Sequence, residues 1–231
     1  MAQQWYEATV AGAQLVAGEM NILTLDVGPA GLAPLHRQPG QYLKVALDGA
    51  GEGIFAIASV PHPGSSFFEL LVKRGSGLAD ALRALPVGAK VKISEPLGAG
   101  FPLDRARGRD LLLFATGSGI SAIRPVVEAI RRERTTFGRV TLFFGARTPE
   151  DFAFAHQLES WQTDGVQVVR TVSRPGASGW QGLTGYVQSH IGGERLEGNV
   201  AFLSGHGSMV EEVTRALRER GVALEDIFLN Y

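Results

Sequence analysis

Apolar residues recur at two different spacings along this chain, and the change from one to the other falls near residue 105. Before it, short runs alternate or are rich in β-branched and aromatic residues: WYEATVAG (5–12), NILTLDV (21–27), QYLKVALD (41–48), FFELLVKR (67–74) and AKVKISEP (89–96). A sixth strand leads into FAIASVP (55–61), where it stops at a proline. Glycine and proline clusters separate these runs at short intervals, the pattern of an antiparallel sandwich or barrel. One helix interrupts the series, LADALRALP (78–86), with Leu78, Leu82 and Leu85 on one face.

The segment FPLDRARGRD (101–110), with proline, glycine and mixed charge, reads as a linker. Beyond it strands and helices alternate. LLLFA (111–115) is an unbroken apolar run, as expected of a parallel strand buried on both faces. Ser121 to Arg134 places Ile123, Val126, Val127 and Ile130 on one helical face. RVTLFFG (139–145) reads as strand, PEDFAFAHQLESW (149–161) as helix and VQVVRTV (166–172) as strand. NVAFLSG (199–205) is strand, SMVEEVTRALRERG (208–221) helix and DIFLNY (226–231) a closing strand. This order predicts a five-stranded parallel sheet with helices on both faces. The expected architecture is a six-stranded antiparallel β-barrel over residues 1–104, followed by an α/β domain over 105–231.

Composition narrows the function classes. The 231 residues are 45% hydrophobic and 19% charged, enough to bury a core. A formal net charge of −1 provides no basic surface for nucleic acid. The clusters RRER (131–134) and ALRERG (216–221) end helical patterns, where cations suit the helix dipole. The chain has no cysteine, which excludes disulfides, thiolate-bound iron–sulfur clusters and a cysteine nucleophile within it. No apolar run approaches membrane-spanning length, and the N-terminus lacks a basic region followed by an apolar stretch. A soluble, cytoplasmic protein without a membrane span is the expectation.

The strongest local signal is FATGSGISAIRP (114–125), in which Thr116, Gly117, Ser118 and Gly119 turn the chain from a buried strand into an amphipathic helix. Glycines let backbone approach a pyrophosphate, and the free N–H groups of the first helical turn face an anion. Pro125 is expected near the helix start, where its missing N–H costs little. Gly117, Gly119 and Ala122 match G-x-G-x-x-A. The acid that a Rossmann fingerprint wants at the end of the next strand is replaced by Gly145-Ala146-Arg147. Further strands end VSR (172–174) and SGHGSM (204–209). In open α/β sheets, ligands bind outside the carboxyl ends of the strands, so these four ends converge on one crevice. Arg147 and Arg174 would supply charge there, while Gly205 and Gly207 would admit a flat ring. The five histidines, His36, His62, His156, His190 and His206, show no metal-ligand spacing.

Five segments in order resemble the ferredoxin–NADP reductase superfamily, whose members pass hydride between a pyridine nucleotide and a flavin. They are PGQYLKV (39–45), ATGSGISAIRP (115–125), LFFGARTPED (142–151), SRPGASGWQGLTGYVQ (173–188) and SGHGSM. Within the superfamily the chain looks most like plant fruit-type proteins, whose barrel carries a run like FAIAS. The resemblance implies an FAD-binding barrel and an NAD(P)-binding domain. It places flavin contacts at Ala56, Ile57, Ala58 and Ser59, at Leu71, Val72 and Lys73, and at Gly75, Ser76, Gly77, Leu78 and Ala79. Nucleotide contacts fall at Thr116 to Gly119, Gly145, Arg147, Ser173, Arg174, Tyr186, Gly205, His206, Gly207 and Met209. Ser204 and Tyr231 take the catalytic positions: the first where many members have a cysteine, the second as a terminal aromatic that could stack on the flavin. Ser173, Arg174 and Tyr186 are similar to residues that hold the 2′-phosphate of NADPH, although a like run occurs in NADH-using relatives.

The departure from the family is at FAIAS. The family signature R-x-Y-[ST] becomes Ala56, Ala58 and Ser59, so the arginine for the flavin pyrophosphate and the tyrosine against the ring are both replaced. A charge-assisted phosphate contact is worth about 1.5–3 kcal/mol and an aromatic pair about 0.5–1.5 kcal/mol. Their loss corresponds to about 30- to 2,000-fold weaker flavin binding unless Lys73 or Arg74 compensates. Restoring the aromatic as Ala58→Tyr is then expected to tighten flavin. The expected function is a flavin-dependent NAD(P)H oxidoreductase, using FAD with NADPH or NADH and passing electrons to an acceptor that includes a protein carrier or a larger complex. The alternative is a nucleotide-binding regulatory or accessory protein with weak or lost flavin chemistry.

Overall fold

Alternation in the first half folds into the expected antiparallel sheet. The computed structural model describes residues 3–75 and 77–230. Strands β1 (Tyr6–Ala17), β2 (Met20–Asp26), β3 (Tyr42–Leu47), β4 (Gly51–Ala56), β5 (Phe67–Lys73) and β6 (Lys90–Ile93) lie in the order β4-β3-β6-β1-β2-β5. Inward residues Val10, Leu23, Leu25, Leu43, Val45, Leu70, Val72 and Ile93 share one apolar core with Leu78 and Leu82 of helix α1 (Gly77–Arg83). The segment after β4 closes this sheet on itself. Ile57 N–H donates to Gln41 on the β3 side, and Ala58 N–H donates to the Glu69 carbonyl of β5 at 2.7 Å. FAIAS is the seam of the barrel.

The second half forms a parallel sheet ordered β10-β9-β8-β7-β11-β12. Its strands are β7 (Leu111–Thr116), β8 (Val140–Ala146), β9 (Val166–Val172), β10 (Leu183–Thr184), β11 (Val200–Ser204) and β12 (Ile227–Leu229). Every residue of β8 and the first five of β7 are buried, as uninterrupted apolar strands between two helical layers require. Helices α2 (Ile120–Arg132) and α3 (Ala155–Thr163) belong to one apolar core and α4 (Gly207–Glu219) to another. The chain runs outward from β7 to β10 and returns through β11 beside β7. The reversal opens a crevice between the ends of these two strands.

The sheet has six strands where the sequence predicts five. The sixth, β10, is two exposed residues paired with Thr171 and Val172, too short to leave any periodicity. The helix expected over 149–161 is broken. Thr148 N–H donates to Asp151 and fixes a 3-10 turn at Pro149–Asp151, and Phe154 then takes φ +62° before α3 begins at Ala155. Pro125 lies in the sixth position of α2 rather than in its first turn, so the Ser121 carbonyl has no i+4 donor. Among the described residues no helix is long and apolar enough to cross a membrane.

Two charged clusters organise the molecule away from the crevice mouth. At the starting ends of the strands, Asp226 accepts from Arg109 and from Arg105, both at 3.0 Å, and these hydrogen bonds, Arg109's foremost, hold its carboxyl below its ordinary pKa. Between barrel and sheet, Arg124 of α2 donates to the Ala58 carbonyl at 3.0 Å and to Gln157 at 2.9 Å, ion-pairs with Glu69, and lies 4.6 Å from the Phe154 ring centre. Arg124 therefore fastens the barrel seam to the helix that follows the glycine turn. Its partners are remote in sequence, and no local pattern marks it.

Candidate functional site

Gly119 shows why the two central strand ends form one wall. A Cβ built on Gly119 would overlap the backbone carbonyl of Ser204 and come within 2.8 Å of Gly205 Cα. Gly205, at φ +157°, is likewise pressed against Thr116, whose hydroxyl accepts from His206 N–H at 3.3 Å. Gly119 answers to neighbouring backbone, and Gly205 chiefly to the Thr116 and Met209 side chains. Gly117 differs: its φ is +53°, and a Cβ there would meet nothing within 4 Å. The turn thus has one glycine that packs and one that leaves bare backbone on an open face.

That face is one wall of a cleft of about 770 Å³ between barrel and parallel sheet. Thr116 to Gly119, Gly145, Arg147, Ser173 and Tyr186 line it, with Ser204, Gly205, His206 and Met209 from the end of β11 and the start of α4. The barrel contributes Ala56 and Lys73. A second cavity of about 520 Å³ adjoins the first through Ile54, Ala56, Lys73 and Ser118, and extends along Leu71, Gly77, Leu78 and Ala79. Lys73 and Arg147 are the cations on the large cleft. Glu212 is its carboxylate, accepting from Gln188 at 2.6 Å, and Glu52 faces the smaller cavity.

The remaining sequence-derived candidates lie elsewhere. Ile57 and Val72 are fully buried in the barrel core. Ala58 is buried in the core between barrel and sheet and lines neither cavity, so a tyrosine there would overpack the seam. Ser59 opens on a separate groove, and its hydroxyl accepts from Glu69 N–H at 3.2 Å. Gly75 N–H turns to Asp80, and Gly207 begins α4 without lining either cavity. Arg174 is exposed and off the cleft, its N–H bound to the Arg147 carbonyl at 2.8 Å. Arg74 ion-pairs with Glu19, which leaves Lys73 as the barrel cation facing the site. Ser76 and Tyr231 fall outside the described residues.

Sequence reasoning missed Tyr42, Ile54, Gln188, Glu212 and Asn230, which also line the large cleft. Tyr42 stands in the PGQY segment, the one signal that could have drawn attention to it. His206 caps α4: its Nδ1 accepts from Ser208 N–H at 3.4 Å and stands 3.0 Å from the Ser208 hydroxyl.

Comparison with known proteins identifies the family and the fold. Residues 113–215 match the oxidoreductase NAD-binding domain family. The chain is 30% identical over 198 residues to the sulfhydrogenase 1 subunit gamma of Pyrococcus furiosus, covering 83% of this chain and 67% of that one. It is also 30% identical over 214 residues to the fruit protein pKIWI502 of Actinidia deliciosa, covering 83% of this chain and 65% of the relative. The chain thus spans about two thirds of the length of these relatives. Among solved structures, a ferredoxin reductase in carbazole 1,9a-dioxygenase superposes with a TM-score of 0.81 at 25% identity, over 100% of this chain and 70% of that one.

Proposed function

The chain belongs to the ferredoxin–NADP reductase superfamily, and from that premise we propose that it is a flavin-dependent NAD(P)H oxidoreductase. The observation that carries the proposal is the pair of joined cavities, which places the barrel rim opposite the glycine turn and the Ser204 strand end. The residues fit a flavin by shape. Gly77 and Gly117 present bare backbone, one to each cavity, where a Cβ would meet nothing within 4 Å. They fit it by charge through Lys73, which lines both cavities and replaces the cation absent at position 56.

A bound flavin would supply the redox chemistry, accepting one hydride and releasing its two electrons singly. The protein supplies binding and alignment. Backbone at Gly117 and Gly119 would receive the nucleotide pyrophosphate. Ser204, 5% exposed at the end of β11, offers a hydroxyl to whatever is held between the two walls. Of the two arginines considered for a 2′-phosphate, Arg147 lines the cleft and Arg174 does not. Arg147 with Ser173 and Tyr186 would thus serve NADPH. With no cysteine in these 231 residues, an iron–sulfur acceptor with thiolate ligands lies outside them.

The deciding measurement is an anaerobic visible spectrum of the purified protein before and after NADH or NADPH. A flavin spectrum bleached by one of them is expected, and the faster nucleotide reports whether Arg147 serves a 2′-phosphate. A colourless protein that FAD and FMN cannot reconstitute, yet that binds the nucleotide, would establish the accessory reading that Ala56 and Ala58 favour.

The seam gives a sharper prediction. Ala56→Arg adds a cation facing both cavities and should lower the flavin dissociation constant about 10- to 150-fold, from a charge-assisted contact of about 1.5–3 kcal/mol. Ala58→Tyr should instead destabilise the protein by about 1–3 kcal/mol through overpacking. Titration with FAD and chemical denaturation separate the two. Tighter flavin binding by Ala58→Tyr at undiminished stability would contradict the assignment.

A further inference from the structure

The barrel lacks the aromatic that the family places at position 58, but it does present another to the cleft. Tyr42 and Tyr186 are the two tyrosines on its described lining, Tyr42 from the barrel and Tyr186 from the parallel-sheet side. Tyr42 is held rigidly. Its N–H donates to the Leu97 carbonyl at 3.1 Å, and its own carbonyl accepts from Leu97 N–H at 2.8 Å. Gly98 follows at φ +83°, and a Cβ there would stand 2.8 Å from Tyr42 Cε1 and 3.2 Å from Cδ1. Bare backbone therefore packs against the ring, and no larger residue could occupy position 98 with the ring in place. Directly across the strand pair, Tyr42 is matched with Ala56. Opposed residues of an antiparallel pair share one face of the sheet. The small Ala56 side chain thus leaves space beside a fixed aromatic ring, on the wall shared by the two cavities.

We infer that Tyr42 is the aromatic platform for the flavin ring in this protein, standing across the strand pair from Ala56 on the cleft wall. The inference rests on the proposed flavin reading and adds to it the contact that replaces the missing stacking residue. It accounts for Tyr42, Ala56 and Gly98 together. A tyrosine at position 58 is not needed when the Tyr42 ring already lines the cleft, which Ala58 does not.

The test compares wild type with Tyr42→Phe and Tyr42→Leu, reading the flavin dissociation constant and the fluorescence of bound flavin. A stacked tyrosine or phenylalanine ring should hold the flavin; leucine should weaken binding about 3- to 10-fold, the worth of one aromatic contact. Stacking on tyrosine quenches flavin emission, so bound flavin should be brighter in Tyr42→Leu than in wild type. Wild-type affinity and quenching in Tyr42→Leu would overturn the inference while leaving the flavin reading intact. Binding as weak in Tyr42→Phe as in Tyr42→Leu would also overturn it, since the hydroxyl rather than the ring would then be responsible. Should Tyr42→Leu fail to fold, Tyr42→Trp replaces it: retained affinity with emission at or below wild type supports stacking, and brighter emission refutes it. A wild-type protein that takes up no flavin would remove the flavin reading itself and the inference with it.

Discussion

Gly119→Ala should cost about 1–3 kcal/mol of stability and weaken nucleotide binding about 10- to 100-fold. The added methyl meets the Ser204 carbonyl and Gly205 Cα, which are backbone atoms with no rotamer to turn away. Relief requires the end of β11 to move from the end of β7, and both strand ends line the large cleft. Stability and binding therefore fall together. Gly117→Ala is the contrasting variant. Its methyl meets no protein atom, so its cost is the left-handed backbone at φ +53°, about 1 kcal/mol, together with obstruction of the cleft. Denaturant midpoints and NAD(P)H titrations of both variants check the difference. A Gly119→Ala protein with wild-type midpoint and affinity would mean that the two strand ends are not packed as described.

The second large effect is a pH dependence centred on His36. This side chain is 2% exposed, stands edge-on to Phe68 with ring centres 5.4 Å apart, and buries Nε2 without a hydrogen-bond partner. Burial lowers its pKa to about 4, against the smaller opposing effect of a hydrogen bond with the Gln38 backbone. The folded protein therefore holds a neutral ring, while the unfolded chain takes up a proton below about pH 6.5. Stability is full above that pH and falls as pH drops toward 4, because the unfolded state binds the extra proton. The whole effect is about 3 kcal/mol, of which about 2 kcal/mol is lost by pH 5. His36→Phe keeps an aromatic ring and removes the unpaired nitrogen. Between pH 7 and pH 5 it should lose about 2 kcal/mol less than wild type in chemical denaturation. Parallel losses in both proteins would show that the buried ring is not responsible.

Much of the fold was legible because it depends on spacing alone. Val10, Leu43, Val45 and Ile93 alternate toward the barrel core, and the unbroken apolar run of Leu111 to Ala115 lies at the centre of the parallel sheet. The boundaries that failed have local causes. Asp151 terminates a turn inside what reads as one helix, and β10 is too short to carry a period. The glycine turn was legible as a turn, but not the division of labour within it. Only the neighbouring strand shows that Gly119 is required by packing and that Gly117 faces open space. Arg124 illustrates the opposite limit: its contacts with Ala58, Glu69 and Gln157 span 66, 55 and 33 residues, and none leaves a trace in local pattern.

FAIAS divides along the same line. Composition and order along the chain determined that a barrel strand ends there with alanine at positions 56 and 58 in place of a cation and an aromatic, and that a glycine turn and four strand ends follow at the other side of a crevice. Only the tertiary structure decided which alanine matters. In one continuous strand, Ala56 and Ala58 would share a face, since side chains alternate. Here the chain leaves its pairing with β3 at Ala56 and joins β5 at Ala58 to close the barrel. That change of partner leaves Ala56 beside Tyr42 on the cleft and carries Ala58 beneath the helix that Arg124 fastens down. A period of two holds only while a strand keeps its neighbours, and the closing of a barrel is where the neighbours change.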